Sequence, residues 1–395
     1  MTGDAHVVVD VGERARALAA VLDEHAIEAE ELRELAPAVL EAATAADLFR
    51  MAVPRDRGGE GRGLHELVDT TRTLATACPA SAWTLSFLVL HNWLLTRFPE
   101  PLQDEVSGGP RGYGLLPAPL APTGSLRRAA GPDGEPGWTV RGRWEWATGV
   151  RHADWVMVTG LEERDDAFVA RFAVLPMSDV VVEDVWHMSG MRATGSDTVV
   201  VDGAFVPEHR TVLADDLLAP GGPDPEHDMA HLPVMAVLAL VAATPAVGAA
   251  ERAVELYRSR VQERVLAYSF GDRAVDQPAA HVRLGTALAD VRAARAALDG
   301  AVDRLEAAFG ADDDGIAVRM AVRLAAADAV RRSVAVLGDV CAGAGASVYR
   351  SDSPLQRLQR DVEVLKGHVI FDWDRTAELA GRLELGLPLR PADRI

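Results

Sequence analysis

"DVWHMSGMRATGSDTVVVDGAFVP" (Asp184–Pro207) is the stretch whose reading decides the fold. It opens on a polar run holding Trp186 and His187. It then passes Gly190 and Gly195, the latter between Thr194 and Ser196, and closes as a valine-rich strand ending at Pro207. Glycine lets a backbone turn sharply or approach a neighbour closely. Flanking hydroxyls supply short donors and acceptors. Turn chemistry explains each residue type singly; glycine and hydroxyl clustered at the mouth of a strand point to a corner that receives a ligand.

Working outward, the stretch sits in a segment rich in glycine and proline, 111–222. Its runs "WTVRGRWEWATG", "DWVMVTGLE", "AFVARFAVLP" and "VVVEDVW" alternate between turn residues. That pattern predicts a central antiparallel β-barrel or sandwich. The segment before it, 1–110, places apolar residues at helical spacing, with a break near Cys78–Pro79 and a loop at "PRDRGGEGRG". Residues 223–395 read as four long helices, the last running unbroken through "SPLQRLQRDVEVLKGHVIFDWDRTAELAGRLELG", which predicts a C-terminal four-helix bundle. The fold class is α+β: N-terminal helical domain, central β-domain, C-terminal bundle.

Composition bounds the function. The 395 residues carry 59 acids against 40 bases, a net charge of -19, so nucleic acid is not an expected partner. Two cysteines far apart, Cys78 and Cys341, support neither a disulfide framework nor a thiolate metal site. The first residues lack a basic segment followed by a long apolar run, so no signal peptide is expected. The most apolar stretch, Leu232–Ala250, contains Pro233 and Pro245 and reads as a buried helix and not a membrane span. A cytoplasmic protein is expected. His227 and His231 lie in a proline-flanked linker without a third ligand, so no metal is expected there. Asp312–Asp314 reads as a solvated inter-helix loop.

Three motifs complete the pattern. "GRWEWATGVRHADWVMVTG" (Gly142–Gly160) carries Trp144, Trp146, Thr148 and Gly149; "VWHMSGMRATGSDTVVVDGAFVP" carries Arg192, Thr194, Gly195 and Ser196; and "GAGASVYRSDSPLQRLQRDVEVLKGHVIFDWD" (Gly343–Asp374) carries Arg357, Arg360, Asp361 and His368. With the order helices, sheet, helices, they resemble the acyl-CoA dehydrogenase superfamily over essentially the whole chain. The third motif lacks the "Y-E-G-T" continuation common in true dehydrogenases and has His368 instead. This resembles the flavin-dependent monooxygenase branch, the oxygenase components of two-component aromatic hydroxylases. A second feature of that branch is "SAWTLSFLVLHNW", with Trp83 and His91 on an apolar helix.

The resemblance implies reduced FMN or FAD (FMNH2 or FADH2) as cofactor and O2 as co-substrate. It implies a separate flavin reductase as partner, since no nicotinamide-binding fingerprint is visible, and assembly as a homotetramer. It implies hydroxylation of an aromatic or polycyclic phenol through a flavin C4a-hydroperoxide in a pocket that excludes water. Thr148 and backbone amides would hold the flavin edge and the peroxide; Trp144, Gly149, Arg192, Thr194, Gly195 and Ser196 would bind the cofactor. Arg264 and Phe270, with Arg258 or Arg260 as alternatives to the arginine, would reach the flavin phosphates. Trp83, Leu90 and Trp93 would wall the substrate pocket, and His91 or His368 would take the phenolic proton. N-hydroxylating and sulfur-oxidising reactions of the same branch stay open. So does an acyl-CoA dehydrogenase-like oxidoreductase with Glu363, Asp372 or Asp374 as base; a helical scaffold without cofactor is the third reading.

Overall fold

The computed structural model describes residues 10–164, 167–222, 224–308, 315–390 and 393. The Asp312–Asp314 run and the boundary residue Pro223 lie outside them.

Among the described residues, six α-helices come first: α1 (Val11–Glu24), α2 (Ala26–Leu32), α3 (Pro37–Ala45), α4 (Leu64–Ala75), α5 (Pro79–Leu95) and α6 (Glu100–Ser107). α5 starts on Pro79 at its first turn, where the missing N–H costs nothing. It is buried on nearly every face, so its few polar residues must find partners inside the protein. Consecutive residues His91 and Asn92 do so on one segment. His91 Nδ1 meets Leu116 O at 2.6 Å, and Asn92 bonds Gly114 O and accepts Gly114 N–H, both at 3.0 Å.

Seven strands follow: β1 (Gly124–Ala130), β2 (Pro136–Ala147), β3 (Trp155–Arg164), β4 (Ala167–Pro176), β5 (Val181–Glu183), β6 (Asp197–Pro207) and β7 (Thr211–Leu213). They form one open sheet in the order β5-β6-β2-β1-β3-β4-β7. The expected central sheet is present, but it is neither wholly antiparallel nor closed into a barrel: β1 and β3 run parallel, and β5 and β7 remain free edges. Strand β1, "GSLRRAA", was not legible as a strand. Its low β-propensity is overridden by pairing on both sides, with β2 and β3.

A short helix α7 (Ala214–Leu218) leads to α8 (Val234–Glu263), α9 (Pro278–Ala308), α10 (Ile316–Ala344), α11 (Pro354–Leu365) and α12 (Trp373–Glu384). The apolar stretch is the first half of α8; Pro245 lies inside that helix and is buried. α8 is long and apolar enough to cross a membrane, but its apolar window is 89% buried within the protein. Two expected helices are shorter than their patterns. The helical spacing of "PAVGAAERAVELYRSRVQERVLAYSF" (Pro245–Phe270) predicts a helix to Phe270, but α8 ends at Glu263, and the chain to Gln277 holds a bridge between Val265 and Arg273 and a single 3₁₀ turn at Ala274–Asp276. The expected fourth helix is two helices. Gly367 and the extended backbone of His368 interrupt it, and Asp372 caps α12 by accepting Arg375 N–H at 3.1 Å.

Two interiors result. The larger joins both helical segments and the sheet residues Met157, Phe172 and Val174. The smaller lies within the sheet, around Trp138, Val140, Trp144, Val156 and Val199.

Candidate active site

The site is assembled from the end of β2, the entry to β6, one face of α5 and the break between α11 and α12. At the end of β2 the pairing with β6 shifts between Trp144 and Ala147. This bulge holds Trp146 at φ 70 and turns its ring outward, 58% exposed, edge-on to Trp186 at 5.4 Å. The strand then delivers Thr148 to the corner before β6. Gly149 N–H donates to Thr194 O at 2.8 Å, which stitches the two glycine-hydroxyl motifs together.

Three hydroxyls meet there in series. Thr148 Oγ1 lies 2.9 Å from Ser196 Oγ, Ser196 Oγ lies 2.8 Å from Thr194 Oγ1, and Thr194 Oγ1 donates to Met191 O at 2.9 Å. Thr194 and Ser196 are buried; Thr148 alone is half-buried and faces outward. Met191 itself is in the left-handed region at φ 52, and its N–H donates to Asp361 Oδ1 of α11 at 2.6 Å. Burial pushes the Asp361 carboxyl up to about 7.

The helical side of the site is a run of rings. Trp83 Nε1 donates to Thr148 Oγ1 at 3.4 Å. Its indole lies 5.7 Å edge-on from the His368 ring and 4.7 Å from Phe87, and Phe87 lies 5.7 Å from His91. Trp83, Phe87 and His91 are one helical turn apart, so α5 presents them on one face. Thr148, Trp83, His368 and His91 are thus brought together. The imidazoles differ in polarity. His91 spends Nδ1–H on the Leu116 carbonyl, which leaves Nε2 as an acceptor; burial lowers its pKa to about 4. His368 Nδ1 accepts Ile370 N–H at 3.3 Å, which leaves Nε2–H as a donor, and desolvation by the surrounding rings lowers its pKa as well.

Several expected site residues lie elsewhere. Trp144 is wholly buried in the sheet interior, where its Nε1 donates to Thr159 O at 2.6 Å. The bulge exchanges it for Trp146 as the outward-facing ring. Leu90 and Trp93 have no accessible surface and pack in the helical core, so neither faces a pocket. Arg192 Nε donates to Glu30 O at 3.0 Å and anchors the corner to α2. Gly195 turns with φ 48 between the two buried hydroxyls. Arg264 NH1 donates to Gly343 O at 3.2 Å. With Arg260, Ser347 and Ser353 it lines a separate cleft of about 370 Å³, while Phe270 stands fully exposed on the loop beyond α8. Of the proposed carboxylates, Glu363 pairs with Lys366 on the surface, Asp372 caps α12 and Asp374 is exposed. Sequence reasoning missed Phe87, whose place midway between Trp83 and His91 on α5 was readable from spacing. It also missed the link from Met191 to Asp361, which no local pattern announces.

The donor set fits an isoalloxazine. That ring system needs flat apolar walls and a few directed polar atoms along one edge. Trp83, Phe87 and Trp146 supply the first, and Thr148 the second. Residues 240–373 match the model of the acyl-CoA dehydrogenase C-terminal domain. A pigment production hydroxylase of Rhodococcus sp. (strain ATCC 21145) is 32% identical over 95% of this chain and 96% of its own. The flavin-dependent monooxygenase oxygenase subunit HsaA of Rhodococcus jostii is 30% identical over 95% of this chain and 98% of its own. The FADH(2)-dependent resorcinol hydroxylase oxygenase component of Rhizobium sp. is 30% identical over 95% and 93%. The solved structure of XiaF from Streptomyces sp., in complex with FADH2 and glycerol, superimposes with a TM-score of 0.88 at 28% identity, covering 97% of this chain and 96% of that one.

Proposed function

The chain belongs to the flavin-dependent monooxygenases of the acyl-CoA dehydrogenase superfamily, and from that premise we propose that it is an oxygenase component that hydroxylates a phenolic or polycyclic aromatic small molecule, using reduced FMN or FAD from a separate reductase. The observation that carries this reading is the meeting of Thr148, Trp83, His368 and His91 in one array. When bound, the flavin supplies the activation of dioxygen.

The chain's own residues hold, orient and exclude water. Thr148 holds the flavin edge. Trp83 and Phe87 form apolar walls that keep water from the reacting oxygen. His91 Nε2 would accept the hydrogen bond of the phenolic hydroxyl, and His368 Nε2–H is the second directed donor of the array. His91 is neutral at pH 7, since burial lowers its pKa to about 4, and the rings packed against His368 push its pKa down as well. A phenolate forming beside His91 raises its affinity for the proton, as any adjacent anion does. His91 therefore becomes a base only as the ring becomes electron-rich.

Arg260 and Arg264 are the candidates for the flavin phosphates, in the cleft they share with Ser347 and Ser353. The exposed aromatics Tyr268 and Phe270, on the loop that follows Arg264, support coverage by a second copy; assembly as a homotetramer is proposed with it. A cytoplasmic location is part of this proposal, since a separate reductase must supply the flavin in reduced form.

The test mixes the protein with chemically reduced FMN or FAD and a panel of phenols in aerated buffer. Hydroxylated product with little free hydrogen peroxide is the expected result. Hydrogen peroxide alone with every phenol sinks the reading, and bleaching of bound oxidised flavin by an acyl-CoA replaces it with a dehydrogenase.

A further inference from the structure

Residues 113–117 form a buried segment that runs between α5 and β3. Its carbonyls alternate in direction, as they do along a strand. Leu115 O accepts Asp154 N–H at 2.8 Å and Trp155 N–H at 3.3 Å, and Pro117 O accepts Met157 N–H at 2.9 Å, so these two face β3. Gly114 O and Leu116 O face α5, where they meet Asn92 and His91. β3 is the strand that follows the Thr148 turn. One buried segment therefore places the His91 imidazole relative to the turn that carries Thr148.

Asn92 is buried, and its side-chain amide is fully engaged. Both Nδ2 hydrogens are used, one on Leu88 O of its own helix and one on Gly114 O, each at 3.0 Å, and Oδ1 accepts Gly114 N–H at 3.0 Å. Gly114 offers an N–H and a C=O together, so the amide has a single orientation. The opposite one would set like poles against each other in a buried place. The peptide has little room to shift on its far side, since a Cβ on Gly114 would sit 2.5 Å from Val106 Cγ1. With Gly114 gripped, Leu116 O is held 2.6 Å from His91 Nδ1. A carbonyl only accepts, so Nδ1 carries the ring hydrogen and Nε2 is bare.

We propose that Asn92 is a positioning residue for the hydroxylation: by gripping the Gly114 peptide it holds Leu116 O against His91 Nδ1, and so keeps His91 Nε2 open to the phenolic proton. This rests on the reading of His91 as the base. In that step the phenolic O–H bond breaks and an Nε2–H bond forms. The electron pair stays on the phenolic oxygen, the positive charge goes to the imidazole ring, and the Nδ1 hydrogen stays on Leu116 O. Burial disfavours the charged ring, and the hydrogen bond to Leu116 O favours it. Without the grip the carbonyl is free to drift and the ring hydrogen is free to occupy Nε2, where it would face the phenolic hydrogen. Asn92 acts through the peptide and not on the substrate.

The experiment compares single-turnover hydroxylation by wild type, Asn92→Leu and Gly114→Ala over phenols that are neutral in the buffer and phenols acidic enough to be ionised there. Asn92→Leu keeps the volume and removes the grip; Gly114→Ala displaces the same peptide from the Val106 side. Each is expected to be slower by roughly tenfold with neutral phenols, the worth of one buried hydrogen bond, and nearly as fast as wild type with ionised ones, which need no base. Dissociation constants for reduced flavin are expected to stay at the wild-type value. The second readout is the ring-nitrogen NMR signal of His91 in the free protein, assigned by its loss in His91→Gln. Wild type is expected to carry the hydrogen on Nδ1, and Asn92→Leu to divide it between the two nitrogens. An equal loss on neutral and ionised phenols marks a purely structural role and overturns the proposal, as does an unchanged His91 signal in Asn92→Leu. Should Asn92→Leu fail to fold, Gly114→Ala carries both readouts. A wild-type protein that hydroxylates no phenol sinks the functional reading instead, and the His91 signal still tests the grip on its own.

Discussion

His91 has one nitrogen committed to the Leu116 carbonyl and the other free to accept, and burial holds it neutral, with its pKa near 4. The folded-state value lies below the ordinary histidine value, so the unfolded chain binds the proton first as pH falls. The stability tied to neutral His91 is complete above about pH 6.5 and is lost as pH falls toward about 4. Wild-type protein is expected to lose thermal midpoint across that window faster than His91→Gln, as read by calorimetry at stepped pH. In catalysis, His91→Gln is expected to lower hydroxylation by about 100-fold, the usual weight of a positioned general base, with the dissociation constant for reduced flavin near that of wild type. At this scale Thr148, Trp83, His91 and His368 were legible, because each stands in a motif of distinctive residue types. The exchange of Trp144 for Trp146 was not. Alternation along β2 would put both on one face, and only the bulge, a property of how β2 registers on β6, separates them. The burial of Leu90 escaped notice for a related reason: α5 is apolar almost all round, so its pattern does not say which side faces a pocket.

Between elements, the decisive joint is the one between the β6 corner and α11, made by Gly190 and Asp361. The sign of its pH dependence is opposite to that of His91. Burial raises the folded-state value of Asp361 to about 7, so the folded chain holds the proton more tightly than the unfolded one. The group's contribution is fully present below about pH 4, and is lost as pH rises to about 7. Met191 N–H, Arg357 and Arg360 favour its charged form, while Glu30 opposes it. Asp361→Asn is expected to gain thermal midpoint relative to wild type as pH rises through that interval; a constant difference from pH 4 to 8 would count against this assignment. Gly190→Ala would place a Cβ 2.1 Å from Arg360 O and must push α11 from the corner; it is expected to cost about 1–3 kcal/mol in chemical denaturation. The helices and most strands were readable from periodicity. The end of α8 and the interruption before α12 were harder, since apolar spacing continues across both in the sequence. Gly367 and the cap at Asp372 mark the second break, and that break is what sets His368 beside Trp83.

In the whole molecule, the loop after α8 is the feature that a single chain does not explain. Tyr268 and Phe270 are fully exposed, at φ 59 and φ 54, a conformation costing of order 1–3 kcal/mol per non-glycine residue. Such aromatics are expected to be covered by another copy. Light scattering of Phe270→Ser is expected to show a smaller assembly than wild type at equal concentration, and an unchanged mass would remove this loop from the interface. The acidic excess and the buried apolar half of α8 were visible in composition. The loop was not, because its residues continue the helical pattern up to the point where the chain leaves it.

The division of the interior into two has a consequence for traffic. Thr148 stands where the sheet's own nucleus gives way to the larger helical one, and the strand arriving there is already irregular. Parting these bodies along that line would admit a planar guest without melting either. A bound cofactor would then act as a clasp across the seam, slowing amide exchange on both banks at once while leaving the depths of each unchanged.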